Sequence, residues 1–375
     1  LSEEERRVLI ARLLEGQVDA AERAERFSAV TAGMTEVEVV KLIAPHKESD
    51  PEDADEALLK LIQERKRSVI EKECAGLIEF VEPKYGLDAV GGAEHIKEEL
   101  QQIAANLRSG DTTVSPMGLM AVGPMGAGKT FVLKAFLKEA GLAAVALKNF
   151  RSKWVGSTEA NLERVLATVR AMGPIAVLID EGDRSFGNSG GEGGDDGTSS
   201  RVIARLKDFM SDPENRGNVL IVLLTNRPDK LDTDIKRPGR LDRKIPFFYC
   251  ESAAERAAVM RAVLRRHVGE ATPSSKELEA VCESLDGYSN ADIEQVALLG
   301  IEFDRRDEKL SLLGALEKSR DDFIPPQEHD MLEFMELLAV SETSRRSLLP
   351  EKFRRMSVGD IQGKLAEARL RALAR

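Results

Sequence analysis

The stretch GPMGAGKT, Gly123 to Thr130, constrains this chain more than any other. It fits the pattern GxxxxGK[ST], it follows the apolar run Leu119–Val122, and it opens a helix-period segment over Lys129–Glu139. A strand, a glycine-rich turn and a helix in that order make a loop whose N–H groups can converge on phosphate oxygens. The glycines Gly123, Gly126 and Gly128 supply the backbone freedom for that turn, with Pro124, Met125 and Ala127 between them. Lys129 would reach the β and γ phosphates, Thr130 would hold Mg²⁺, and Phe131 follows at the helix start.

The rest of the chain supports the fold this loop requires. Short aliphatic runs recur at Ala143–Leu147, Ile175–Ile179, Val219–Thr225 and Ile245–Phe248, and helix-period segments such as Asn161–Met172 lie between most of them. Alternating strands and helices predict an α/β fold: a parallel sheet between two helical layers. Helical patterns precede this region up to about Lys84 and follow it from Glu251 to the end. SSKE (Ser274–Glu277) and SNAD (Ser289–Asp292) fit capping boxes at helix starts. FGNSGGEGGDDGTSS, Phe186–Ser200, offers nothing to bury and reads as a surface loop.

Composition narrows the function. A net charge of −11 over 375 residues opposes a free nucleic-acid surface, which needs a basic face. The three cysteines Cys74, Cys250 and Cys282 form no CxxC pair, and they read as buried free thiols in a reducing cytoplasm. The apolar runs are too short to span a bilayer, so no membrane partner is expected of this chain. It starts at Leu1 rather than methionine, which is compatible with further sequence upstream.

Three more stretches carry chemistry. IAVLIDEGD, Ile175–Asp183, is a buried-type strand delivering two carboxylates at its end, the edge where open parallel sheets bind ligands. Asp180 would bind Mg²⁺ through water, and Glu181 would polarise the attacking water. After VLLT, Asn226 stands where its amide could touch both γ-phosphate and water. IKRPGRLDRK, Ile235–Lys244, is a basic loop in an acidic protein, and its Pro238-Gly239 turn presents Arg237 and Arg240.

From about Tyr85 to Ala297 these residues resemble the AAA family of ATPases, within the AAA+ class. LDAVGG, GPMGAGKT, IDEGD, TNRP, RPGRLDR and GYSNADIE come in the family's order and spacing. RPGR, with Ala291 at the second-sensor place, points to the branch with paired arginine fingers. EKECAGLIEFVEPKYGLDAVGG is similar to bacterial and plastid AAA proteins. The resemblance implies a P-loop NTPase domain with a three-layer αβα sandwich, expected over residues 76–247. A helical lid is expected over 248–340 and a helical tail over 341–375. It also implies a homo-oligomeric ring, usually a hexamer, in which Arg237 and Arg240 act on the neighbour's γ-phosphate. Val90 and Gly91 would contact adenine, although Ala89 replaces the usual acid there. The lone tryptophan falls in the family's aromatic pore loop, so Lys153, Trp154, Val155 and Gly156 would grip a polypeptide substrate. The loop at Phe186–Ser200 falls where a second pore loop belongs, or is simply unstructured. DEGD replaces the commoner DELD or DEID, and Gly182 is expected to loosen the backbone there. The expected activity is ATP-driven protein remodelling in the cytoplasm. A nucleic-acid motor and a nucleotide-gated scaffold without turnover are the alternatives.

An internal repeat joins the two helical regions. EERRVLIARLLEG at Glu4 resembles AERAAVMRAVLRR at Ala254, and TAGMTEVEVVKL at Thr31 parallels LDGYSNADIEQV at Leu285. Either amphipathic helices resemble one another here, or residues 1–75 are the lid of an upstream module.

Overall fold

The computed structural model describes residues 1–17, 19–45, 51–74, 77–147, 158–182, 196–307, 309–325 and 329–374. Among the described residues six strands form one sheet: β1 (Ile78–Val81), β2 (Gly118–Val122), β3 (Ala143–Leu147), β4 (Ile175–Ile179), β5 (Val219–Thr225) and β6 (Arg243–Pro246). Their order is β1-β3-β4-β5-β2-β6. All neighbours are parallel except β1, which runs antiparallel to β3. Every residue of β4 and β5 is buried, so these strands read as unbroken aliphatic runs rather than alternating ones.

Successive strand residues enter opposite cores. Leu119, Ala121, Leu220 and Val222 pack with α5 (Glu94–Arg108) and α6 (Lys129–Ala140). Met120, Val122, Ile221 and Leu223 pack with α7 (Thr158–Ala171) and α8 (Asp196–Ser211). The expected three-layer α/β domain is present, and β5 lies between β4 and β2, so the three strands end side by side.

Three sequence expectations shift. The last strand is Arg243–Pro246 rather than Ile245–Phe248, because Leu119 to Val122 pair with Arg243 to Pro246. At this edge of the sheet Arg243 and Lys244 are half-buried and find carboxylates, Glu99 and Glu342. The helical pattern expected up to about Lys84 ends at Cys74, and Ile78–Val81 is strand β1, too short an alternation to read from sequence. Asp196–Ser200, read as loop, is the start of α8. The rest of that loop lies outside the described residues.

Four helices, α1 (Glu3–Leu13), α2 (Ala20–Val30), α3 (Glu36–Ile43) and α4 (Pro51–Cys74), precede the sheet. α4 belongs to two cores: Leu58 and Ile62 pack with α1 to α3, while Ile70 and Cys74 enter the sheet's core. Beyond the sheet, α9 (Ala253–Val268), α10 (Ser275–Cys282), α11 (Asn290–Arg306) and α12 (Leu312–Asp322) surround a separate core. Both expected capping boxes start helices here. α13 (His329–Glu342) returns to the sheet, where Ala339 joins its core, and packs with α14 (Val358–Leu373) through Phe334, Leu338 and Ala368. Among the described residues no helix is long and apolar enough to cross a membrane.

Lys66 fastens α4 to the sheet domain. It is 2% exposed, and its Nζ donates to the carbonyls of Met172 at 2.5 Å and Gly173 at 3.1 Å. Burial, and secondarily the charge of Arg6, hold its ammonium down to about 7 from the ordinary 10.5. Between those two values the unfolded chain carries a proton that the folded chain has lost, so stability rises with pH across that window. Lys66→Met is expected to flatten this rise, which runs at up to about 1.4 kcal/mol per pH unit. Urea unfolding at pH 7 and pH 9 checks it.

Candidate active site

The loop after β2 turns tightly because three of its glycines hold positive φ: Gly123 at +154°, Gly126 at +75° and Gly128 at +85°. α6 starts at Lys129 immediately afterwards, so free N–H groups and the positive end of the helix face one hollow. Lys129 is 9% exposed, and its Nζ donates to the carbonyls of Gly123 (2.8 Å) and Pro124 (2.7 Å) and to Asn226 Oδ1 (2.6 Å). The lysine thereby ties the end of β2 to the end of β5.

A cavity of about 700 Å³ opens over this point. Met125, Gly126, Gly128, Lys129, Thr130 and Phe131 line it from the loop, Asp180 and Glu181 from β4, and Asn226 from β5. Val90 and Gly91 close one end. Gly123, Pro124 and Ala127 shape the loop from behind. A Cβ on Gly123 would lie 2.2 Å from the carbonyl oxygen of Phe247, and the carbonyl of Ala127 accepts from Asn290 Nδ2 at 3.1 Å. The donors suit a triphosphate with a hard cation: backbone N–H groups and an ammonium for phosphate, the Thr130 hydroxyl and the Asp180 carboxylate for Mg²⁺. A cation held there would neutralise phosphate charge.

The two carboxylates sit on a tight turn. Glu181 N–H donates to Asp180 Oδ1 at 2.8 Å, and Glu181 takes φ +50°, a conformation costing a non-glycine residue about 1–2 kcal/mol. Gly182 does not loosen this turn, as the sequence suggested; it makes room. A Cβ there would lie 2.6 Å from Cδ2 and 2.9 Å from Cγ of the fully buried Leu223. The backbone strain is on Glu181 instead.

The helices beyond the sheet wall the cavity from the other side, through Val259, Val263, Asn290 and Ala291. Ala291 N–H donates to the carbonyl of Gly126 at 3.1 Å, and Tyr249 Oη donates to that of Met125 at 2.7 Å. Gly91 touches α9 so closely that a Cβ would lie 2.2 Å from the carbonyl oxygen of Ala258.

Sequence reasoning missed one pair of wall residues. The guanidinium of Arg266 lies 4.6 Å from the ring centre of Phe131 and 5.6 Å from that of Tyr85, and donates to Glu294 Oε1 at 3.1 Å. Its buried Nε has no hydrogen-bond partner among the described residues. Arg266 and Glu294 line the cavity together with Val90 and Gly91. Two adjacent arginines on a charged helix gave no signal for choosing this one. Arg266→Met removes the cation that stands on Phe131 and pairs with Glu294 in the cavity wall, and is expected to weaken nucleotide binding about ten-fold, equal to roughly 1.4 kcal/mol. Titration with a fluorescent ATP analogue would measure it.

Arg237 and Arg240 stand apart from this cavity. Arg237 is 72% exposed and pairs with Asp234 at 3.1 Å. Arg240 donates to Ser211 Oγ at 2.5 Å and to the carbonyl of Asp234 at 2.8 Å. Lys153, Trp154, Val155 and Gly156 lie outside the described residues.

Comparison with known proteins agrees with this geometry. A family model described as "ATPase family associated with various cellular activities (AAA)" matches residues 119–249. Over 228 residues the chain is 31% identical to the Cell division cycle protein 48 homolog of Archaeoglobus fulgidus, a match covering 57% of this chain and 30% of that protein. The chain thus spans less than a third of the length of this curated relative. Among solved structures, the FIGL-1 AAA domain aligns with a TM-score of 0.57 at 21% identity, over 75% of this chain and 96% of that one. The same domain in complex with ADP aligns with a TM-score of 0.57 at 20% identity, over 75% and 98%. The strand–loop–helix of the phosphate cradle, the paired carboxylates and Asn226 all fall inside residues 119–249, the segment that matches the AAA family model.

Proposed function

We propose that this chain hydrolyses Mg·ATP at the cavity around Lys129 and uses the energy to remodel protein substrates as a homo-oligomeric, hexameric ring. The observation that carries the reading is a division of the site. The phosphate loop, Asp180, Glu181 and Asn226 meet in one cavity, while the two arginines of the basic loop lie outside it. A site divided in this way is completed by the arginines of a neighbouring copy. The protein of the ADP complex above, with the same fold, supports an adenine nucleotide as ligand. In this reading Lys129 and the loop N–H groups hold the β and γ phosphates. Thr130 and Asp180 hold Mg²⁺, which supplies charge neutralisation at the transferring phosphoryl group. Glu181 takes the proton of the attacking water, and Asn226 orients that water. Val90, Gly91 and the Arg266 wall hold the base.

Trp154, with Lys153, Val155 and Gly156, is the proposed grip on the polypeptide. The acidic balance and this aromatic loop favour a protein substrate over nucleic acid. ATP turnover per chain is expected to rise with protein concentration as rings assemble. Trp154→Ala is expected to keep that turnover while losing unfolding of a tagged fluorescent substrate. Turnover independent of concentration, from a species that stays monomeric by sedimentation with ATP, would overturn the ring. Equal unfolding by both proteins would overturn the grip.

A further inference from the structure

Residues 1–43 repeat the lid contact by contact. Both units open on a capping box, Ser2 with Glu5 and Ser252 with Glu255. The next residue in each is a buried arginine, and its Nε reaches back to the last turn of the following helix. Arg6 donates to the carbonyl of Ser28 at 2.8 Å, and Arg256 to that of Cys282 at 3.0 Å. Gly33 and Gly287 then hold φ of +81° and +79°. Glu38 accepts from Thr35 N–H at 2.8 Å, and Asp292 from Ser289 N–H at 2.9 Å. Ile10 and Leu14 fill the core places of Met260 and Leu264, all four fully buried. Generic amphipathic helices would share a periodicity; they would not share a buried guanidinium aimed at the same carbonyl.

The two copies differ in what they face. The lid rests on the phosphate-loop domain through Ala258, Val259 and Ala291, with Val259 only 9% exposed, and Val263 lines the cavity between them. The matching residues of the first copy are Val8, Leu9, Leu13 and Val37. Val8 is 42% exposed and Val37 61% exposed, while Leu9 and Leu13 are half-buried. The first copy meets the rest of the chain by its other side, through α4 and the Gly33 turn, where a Cβ would lie 2.7 Å from the carbonyl oxygen of Ala171. Its apolar face is therefore uncovered at the positions that a phosphate-loop domain covers in the second copy.

We propose that residues 1–43 are a second lid, and that the Val8–Leu9–Leu13–Val37 face seats the phosphate loop of a second nucleotide-binding domain, joined ahead of Leu1 in the natural polypeptide. The nucleotide role rests on the reading of the Lys129 cavity given above; the seat itself rests on the repeated geometry alone. The test is thiol labelling of Val37→Cys, with the label located by mass spectrometry, in the natural polypeptide and in the 375-residue chain. In the natural polypeptide labelling is expected to be at least ~10-fold slower, the loss of access that burial of a thiol brings. Adding Val8→Glu to the natural polypeptide should restore fast labelling. Equal rates in the two proteins would overturn the proposal. So would slow labelling of the 375-residue chain that deepens with its concentration, since a second copy would then be the occupant. Neither outcome depends on ATP turnover, so a failure here is distinct from a failure of the ATPase reading.

Discussion

Glu181→Gln is expected to keep ATP bound while lowering its turnover about 10²–10⁴-fold, the usual contribution of a positioned general base. The change keeps the size of the side chain but removes its negative charge and its ability to take a proton. Three observations make this position sensitive. Glu181 lines the same cavity as Lys129, Thr130 and Asn226. Its backbone is held left-handed, with its N–H on Asp180. The next residue has room only for a glycine, since a Cβ on Gly182 would lie 2.6 Å from Leu223 Cδ2. Single-turnover hydrolysis and retention of labelled ATP separate the chemistry from binding. Unchanged turnover would remove Glu181 from its role.

A double change, Arg237→Ala with Arg240→Ala, is expected to cost 10³-fold or more, within the range of roughly 10³–10⁵ that such arginines supply in phosphoryl transfer. Nucleotide affinity of the isolated chain should barely move, since neither side chain lines its own cavity. Mixing gives the decisive measurement. A chain with both alanines still has Glu181, and a Glu181→Gln chain still has both arginines. Mixed rings therefore contain some seams with every group in place, and partial turnover should return. If two inactive proteins stay inactive when mixed, although they co-assemble, the arginines do not act across a seam.

The phosphate loop, the carboxylate pair and Asn226 were legible from sequence because each is local. A glycine spacing fixes a turn, an aliphatic run fixes a strand, and the residue after a parallel strand falls at the ligand-binding edge. Sheet order then brings the ends of β2, β4 and β5 together. Capping boxes were legible for the same reason, since the hydroxyl and the carboxylate are three residues apart. The internal repeat was visible as a pattern, yet similar amphipathic helices could have produced it.

Contacts between distant residues had no such signature. Arg266 on Phe131, Lys66 on Met172 and Gly182 against Leu223 each join segments whose spacing carries no rule. Their meaning comes from which surfaces the sheet and helices bring within a few ångströms, and packing there admits or excludes a single Cβ. Spacing along the chain thus determined what chemistry this protein holds. Only the folded arrangement decided which glycine provides room rather than freedom, which arginine walls the cavity, and which apolar face is left uncovered, because burial and close contact are properties of neighbours in space.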